Sequence, residues 1–170
     1  MAQDNPNLIS KSAMRAMSST QGSGEPTMHE ILTKVNNAKD KPKKIAVLQQ
    51  YDSPALRQLL KGAFDPKIEW DLPEGSPPFI RNEAPEGTEH TLLKTEVKRL
   101  WHFVRGADSS LSKTKKETMF IQMLEGLHQT EADLLINAKD KVLNKAYKGL
   151  TESVVKEAFG WNENFMDPSK

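Results

Sequence analysis

The segment Thr114–Trp161 constrains the fold more than any other part of the chain, because it carries the signals of three successive helices. Thr114 is followed three residues later by Glu117, a capping box that opens the first helix. Threonines 130 and 151 are positioned to cap the second and third. Apolar residues then recur at the spacing of one helix face: Phe120, Met123, Leu124 and Leu127; Ala132, Leu135 and Ile136; and Val154, Val155, Ala158 and Phe159. We therefore predict three packed helices, the last one ending at Gly160.

The first part of the chain after residue 26 shows the same pattern. Thr27 with Glu30 forms a second capping box, and Ser53 provides an N-cap that is followed by Pro54 in the first turn. Together with the apolar spacing, these signals predict three helices before residue 65. The middle helix is expected to run from about residue 43 to 51.

A further helix is expected from Thr91 to Arg105, where Gly106 ends the pattern. Its apolar positions follow the spacing of an α-helix: Leu93, Val97, Leu100, Trp101 and Val104. This register places Trp101 in the core.

The segment between these helical regions, residues 65–89, has a different composition. It contains five prolines and two glycines, and its seven carboxylates outnumber its two basic residues. Such a composition is incompatible with a long helix. Its apolar residues are too numerous for a free linker: Ile68, Trp70, Leu72, Phe79 and Ile80. We predict an extended acidic strap that is held to the helical body by these side chains, with a mobile tip near Asn82–Gly87.

The predicted fold is therefore all-α: a compact bundle of six or seven short helices, with the Pro-rich acidic strap between two halves. Residues 27–161 form the single domain. Residues 1–26 are expected to be a disordered tail, because Ser, Gly, Gln, Asn and Pro dominate them. Residues 162–170 are expected to be a short C-terminal tail.

Composition excludes several classes of function. The chain has no cysteine, so disulfides, thiol catalysis and Cys-based metal sites are excluded. No nucleophile elbow, phosphate-binding loop or metal-chelating histidine pair occurs, so we expect no catalytic, cofactor-binding or metal-binding residues. A net charge of +1 argues against a dedicated DNA coat protein. No apolar run reaches the ~18–20 residues needed to span a bilayer, so no membrane partner is expected.

Five short stretches of the last third form a distinctive succession: Glu117–Glu125, Glu131–Leu135, Ala138–Lys141, Tyr147–Thr151 and Glu157–Phe159. This succession resembles a family of small, uncharacterised proteins from contractile-tailed bacteriophages, especially those of marine bacteria. The resemblance extends upstream to about Thr27. It departs from the family pattern at Val142–Ala146, where a Leu-Pro is expected. It implies a phage gene product that acts in the host cytoplasm or is packaged in the virion, and it implies no catalytic residue.

A basic cluster lies on the helix 91–105 and in the loop after it. Its members are Lys94, Lys98, Arg99, Arg105, Lys113, Lys115 and Lys116. With Trp101 and His102 nearby, these residues are candidates for binding nucleic acid through phosphate contacts and an aromatic platform. The alternative is a solvated helix face with Trp101 in the core, which the apolar spacing favours.

The acidic strap provides a second candidate surface. Its candidate partner-binding residues are Glu69, Asp71, Glu74, Phe79, Glu83 and Glu86. Because the strap and the basic cluster carry opposite charge, the strap is suited to docking on a basic partner or to self-association. The alternative is pairing between strap and cluster within one molecule.

The leading functional hypothesis is a non-enzymatic, phage-encoded protein–protein interaction or accessory protein that acts in the infected cell on an unidentified host or phage protein. The first alternative is a nucleic-acid-binding accessory factor that uses the basic helix 91–105. The second alternative is a minor virion component.

Overall fold

Eight α-helices and one 3₁₀ helix form the secondary structure of residues 25–81 and 91–165, the parts of the chain that the computed structural model describes. The α-helices are α1 (Met28–Asn37), α2 (Lys41–Gln50), α3 (Pro54–Phe64), α4 (Leu93–Glu96), α5 (Lys113–Gly126), α6 (Gln129–Lys139), α7 (Leu143–Ala146) and α8 (Glu152–Phe159). The 3₁₀ helix (Val97–Phe103) continues directly from α4. These ranges contain no strand, which confirms the predicted all-α bundle.

Several helices begin at the caps that the sequence indicates. Thr27 and Glu30 form both bonds of a capping box at the start of α1. The hydroxyl of Ser53 accepts the N–H of Leu56 at the start of α3, and Thr151 caps α8. Each such cap satisfies a backbone N–H that has no partner inside the helix, and contributes roughly 1 kcal/mol.

Two predicted caps are wrong by two residues. The cap of α5 is Ser112, whose hydroxyl accepts the N–H of Lys115, so Thr114 lies inside the helix. The cap of α6 is His128, whose imidazole accepts the N–H of Thr130. The backbones of Ser112 and His128 are non-helical, as a cap requires. The apolar stripes of both helices are nevertheless those predicted.

The apolar stripes meet in one core, with α6 in contact with α1, α3, α4, α5 and α7. The largest fully buried side chains are Leu32, Leu48, Leu56, Leu59, Leu60, Leu93, Phe103, Leu124, Leu127, Leu134, Leu135 and Leu143. The core also includes Phe165, which lies in the segment 162–170 that the sequence assigns to a tail. The Phe165 ring lies 6.2 Å from that of Trp161, and the ammonium of Lys156 lies 4.6 Å from its centroid.

The strap is fixed to the bundle first at Trp70. Its ring is buried against Gly62 of α3, where a side-chain Cβ would come within 3.0 Å of the ring, and its indole N–H donates to the Gly62 carbonyl at 3.0 Å. The flanking backbone pairs with the end of the 3₁₀ helix. The N–H of Asp71 donates to the Phe103 carbonyl, and that of Arg105 donates to the Glu69 carbonyl, both at 2.7 Å.

A second anchor joins the strap to the end of α6. The buried Lys139 ammonium donates to the carbonyls of Pro73 at 2.8 Å and Gly75 at 3.1 Å. The carboxylate of Asp140 accepts the Gly75 N–H at 3.0 Å. Gly75 has a φ of +88°, a left-handed conformation that glycine adopts without steric cost. Two adjacent side chains, from the last residue of α6 and from its C-cap, therefore hold one turn of the strap.

The prediction that apolar side chains hold the strap is correct for Trp70 and wrong for Ile80. The side chain of Ile80 is 79% exposed, and this part of the strap is held instead by its backbone N–H, which donates to Glu125 at 2.9 Å. Leu72 and Phe79 are partly buried against the core. Two predicted segments lie outside the described residues: the mobile tip Asn82–Gly87, and residues 1–24 of the predicted tail 1–26.

A buried carboxylate joins three helices. Glu131, in the first turn of α6, is 1% exposed, and it accepts the N–H of Met28 at 3.1 Å and that of Leu93 at 2.9 Å. These are the first residues of α1 and α4, so one side chain satisfies an unpaired N–H at two helix N-termini. Negative charge is favourable there because the N-terminal ends of helix dipoles are positive.

Replacing Glu131 by alanine is expected to lower the free energy of unfolding by about 3 kcal/mol, because two buried N–H groups lose their acceptor. Urea unfolding followed by circular dichroism measures this loss. Glu117→Ala in α5 is the matched control, expected to change stability by less than about 0.5 kcal/mol, since Glu117 is partly exposed and forms no described ion pair. Equal small losses in the two variants would contradict the role assigned to Glu131.

Candidate functional site: the basic–aromatic face

The 3₁₀ geometry of residues 97–103 decides which side chains reach the surface. A 3₁₀ helix has about 3.0 residues per turn, so every third residue lies on the same face. Val97, Leu100 and Phe103 are buried accordingly, and Trp101 is 50% exposed. The predicted burial of Trp101 is therefore wrong: it assumes an α-helix, in which Trp101 shares the face of Val97.

The two remaining faces of the 3₁₀ helix carry cations and rings. Lys98 and Trp101 are three residues apart and lie on one face, and Arg99 and His102 lie on the next. The rings of Trp101 and His102 stack with centroids 3.9 Å apart and an interplanar angle of 31°. We call Lys98, Arg99, Trp101 and His102, with the nearby Arg105, the basic–aromatic face.

Asp108 fixes the imidazole that stacks on Trp101. Its Oδ2 lies 2.8 Å from Nδ1 of His102, and its Oδ1 accepts the backbone N–H of Ser110 at 3.0 Å. Hydrogen bonds from the Ser110 hydroxyl, and then from His102, lower the pKa of Asp108 from 3.8 to about 2, so the carboxylate stays charged at neutral pH. Asp108 was not among the sequence-based candidates. An aspartate two residues before the N–H that it accepts is typical of an Asx-turn, and this is the available signal.

Part of the basic cluster is neutralised by the strap. Asp71 receives the buried ammonium of Lys116 at 3.0 Å, and that hydrogen bond lowers the pKa of the Asp71 carboxyl. Lys113 and Arg105 lie 3.7 and 3.9 Å from the same carboxylate. Arg105 also lies 3.5 Å from Glu69. Strap and cluster are thus paired within one molecule, the arrangement that the sequence left as an alternative.

The other cations of the cluster are less constrained. Lys94 pairs with Glu25, and Arg99 pairs with Glu96 at 2.8 Å. Lys98 and Lys115 are exposed and form no ion pair with any residue in 25–81 or 91–165. The structure therefore leaves Lys98, beside Trp101, available to a ligand.

The candidate residues of the strap do not form one surface. Glu69 and Asp71 pair with the cluster, whereas Glu74 is exposed and has no ion pair among the described residues. Phe79 is partly buried, and the guanidinium of Arg81 lies 5.1 Å from its ring centroid. The remaining two candidates, Glu83 and Glu86, lie outside the described residues.

An open cleft of about 690 Å³ lies between the strap and the end of α6. Apolar side chains that line it are Ala63, Phe64, Ile68, Trp70 and Leu72. Exposed carboxylates also line it, those of Glu69, Glu74 and Glu152. Two lysines are present, but their ammoniums are already bonded to backbone carbonyls: Lys139 to Pro73 and Gly75, and Lys141 to Gly62 and Asp65.

Residues 25–81 and 91–165 contain no group of three or more His, Asp or Glu side chains arranged to hold a metal ion. His128, the one histidine at a di-iron-like Glu-x-x-His spacing, instead caps α6. None of the helices in these ranges combines the length and the apolar character needed to cross a bilayer.

Comparison with known proteins identifies a family but no function. A family of unknown function (DUF6433) matches residues 31–145, a range that includes the strap, the basic–aromatic face and most of the residues that line the cleft. No curated protein and no solved structure matches the chain.

The register of the 3₁₀ helix predicts losses of stability of very different size for two nearby aromatic substitutions. Phe103→Ala is expected to cost roughly 3–5 kcal/mol of unfolding free energy, because it empties a buried site. Trp101→Ala is expected to cost less than about 1 kcal/mol, because half of its ring already faces solvent. Urea unfolding of both variants tests this order, and a larger loss for Trp101→Ala would show that the α-helical register is correct.

Proposed function

We propose a function for this chain from its own surface chemistry, because the chain belongs to the DUF6433 family, whose function is unknown. The function that the geometry supports best is that of a non-enzymatic accessory protein that binds nucleic acid through the basic–aromatic face. The observation that carries this proposal is the exposure of Trp101 beside Lys98. A tryptophan among cations is a favourable contact for bases and phosphates together.

The charge distribution supports weak, salt-sensitive binding. Residues 94–116 contain seven lysines and arginines and two carboxylates, although the whole chain has a net charge of only +1. The strap carboxylates Glu69 and Asp71 neutralise part of this excess. Nonspecific nucleic-acid affinities of roughly 10⁻⁴–10⁻⁶ M at physiological salt are typical of such surfaces.

The biological setting that we propose is an infected bacterial cell. The support is the resemblance of the stretches in 117–159 to small proteins of contractile-tailed phages. In that setting the protein acts in the host cytoplasm, as an accessory to phage or host machinery. Packaging in the virion as a minor component is the alternative setting, and mass spectrometry of purified particles distinguishes the two.

The proposal is tested by changing charge at the face and at a matched site elsewhere. The variant Lys98→Glu with Arg99→Gln is expected to bind nucleic acid at least ~10-fold more weakly than the wild type, because phosphate contacts are lost. Its affinity is also expected to depend less steeply on salt. Gel-shift titrations at about 50 to 200 mM salt measure both quantities.

The matched control is Lys145→Glu with Lys148→Gln, which makes the same change in net charge at two other exposed lysines. It is expected to bind within about twofold of the wild type, since long-range effects are screened at these salt concentrations. Equal weakening in the two variants would show that binding depends on net charge and not on the basic–aromatic face. Failure of the wild type to bind at about 50 mM salt would overturn it.

A protein partner is the second candidate, and the cleft beside the strap favours it. Its apolar lining and exposed glutamates suit a peptide that carries both apolar and basic side chains. Affinity purification from infected cells after nuclease treatment distinguishes the candidates. Recovery of one specific protein, equally by the wild type and by the Lys98/Arg99 variant, would favour the cleft over the basic–aromatic face.

A further inference from the structure

We infer that the nucleic acid bound by the basic–aromatic face is single-stranded, and that one unpaired base stacks on Trp101. This inference rests on the proposed function and names its ligand class. It is carried by three features of the face: the exposure of the Trp101 ring, the support of that ring by His102, and the three-residue period of the helix that presents both.

Trp101 presents its ring to solvent. The residue is 50% exposed, whereas Phe103, two residues later, is fully buried. The ring therefore offers apolar surface outside the core. In a duplex, neighbouring base pairs cover both faces of each base, so only an unpaired or splayed base can stack on a protein ring.

The Trp101 ring is supported by the neighbouring imidazole. His102 stacks against Trp101 at 3.9 Å, and Asp108 holds the imidazole at 2.8 Å. Asp108 is in turn bonded to the backbone of Ser110. The position of the Trp101 ring is therefore set by a chain of contacts before a ligand binds. Such preorganisation lowers the entropic cost of binding.

Cations precede both rings at the period of the 3₁₀ helix. A 3₁₀ helix rises about 2.0 Å per residue, so side chains three residues apart are about 6 Å apart along the axis. Lys98 lies one such step before Trp101, and Arg99 lies one step before His102. A base on Trp101 therefore has the unpaired Lys98 within reach of its neighbouring phosphates, with Arg99, which pairs with Glu96, on the next face, as in stacking sites for single strands.

Duplex recognition is less compatible with this face. Reading the major groove requires a helix that presents several side chains to base edges along its length. Here the helix has seven residues, and Val97, Leu100 and Phe103 point into the core. The exposed part carries one ring pair and two cations, which suits a single nucleotide step.

The experiment compares a fluorescein-labelled 15-nucleotide oligothymidine with a labelled 15-base-pair duplex by anisotropy, using the full chain. We expect the single strand to bind at least ~10-fold more tightly at equal salt. Trp101→Ala is expected to weaken single-strand binding about 10-fold and duplex binding by much less, because a paired base offers no free face to the ring. Trp101→Phe is expected to restore most of the loss, because phenylalanine keeps a stacking face.

Ile80→Ala is the matched control, since it removes another exposed apolar side chain, and it is expected to bind like the wild type. Equal affinity for strand and duplex, with Trp101→Ala changing neither, would overturn this inference, and the proposed function would then rest on the phosphate contacts of Lys98 and Arg99 alone, which the Lys98/Arg99 variant tests separately. Equal weakening of both by Trp101→Ala would also overturn it. Failure of the wild type to bind either probe would overturn the proposed function itself.

Discussion

The buried carboxylate of Glu131 is the interaction on which the rest of the arrangement depends. It accepts the first N–H groups of α1 and α4 from its place in α6, so three helix ends meet at one side chain. Burying a carboxylate is costly unless it is well bonded, and here helix N-termini supply both donors and favourable dipoles. The polar network continues nearby, where the Tyr147 hydroxyl lies 2.8 Å from His29. Burial, followed by the charge of Glu131, raises the pKa of Tyr147.

Glu131 also fixes where the segment that carries the basic–aromatic face begins. Leu93, whose N–H it binds, is the first residue of α4, and α4 leads directly into the 3₁₀ helix. The other end of that helix is fixed by the backbone bridge between Trp70 and Val104. The two anchoring residues, Glu131 and Trp70, both lie far from the 3₁₀ helix in sequence. A segment held at both ends has a set length to span, and 3₁₀ geometry covers more length per residue than an α-helix. The same geometry turns Trp101 outward.

The parts of this structure that can be predicted from sequence are those that depend on contacts between residues close together in the chain. The caps at Thr27, Ser53 and Thr151 and the apolar stripes depend on neighbours within four residues, and they were predicted correctly. The exposed position of Trp101 was not predicted. Its sequence fits an α-helical stripe as well as a 3₁₀ one, and the choice is made by contacts to Glu131 and the strap. The spacing of Val97, Leu100 and Phe103 by three was the available signal.

The candidate binding surfaces also combine features that the sequence predicts with features that only distant contacts determine. Opposite charge on strap and cluster was visible in the sequence, and so was the alternative that the two pair with each other. The path of the strap across the bundle decides which cations lie near Asp71, and these are Lys116, Lys113 and Arg105. That path is set by Trp70 on Gly62 and by Lys139 and Asp140 on one turn. We therefore propose the exposed ring at Trp101, rather than the strap acids, as the binding surface.

The most direct measurement is the response of the three tryptophan indole N–H resonances when ¹⁵N-labelled protein is titrated with a single-stranded oligonucleotide. Trp70 and Trp161 are each 8% exposed, and Trp101 is 50% exposed. If a base stacks on Trp101, the Trp101 resonance shifts with saturation while the other two remain in place. A Trp101 resonance that stays unchanged as the oligonucleotide saturates the protein would contradict this stacking.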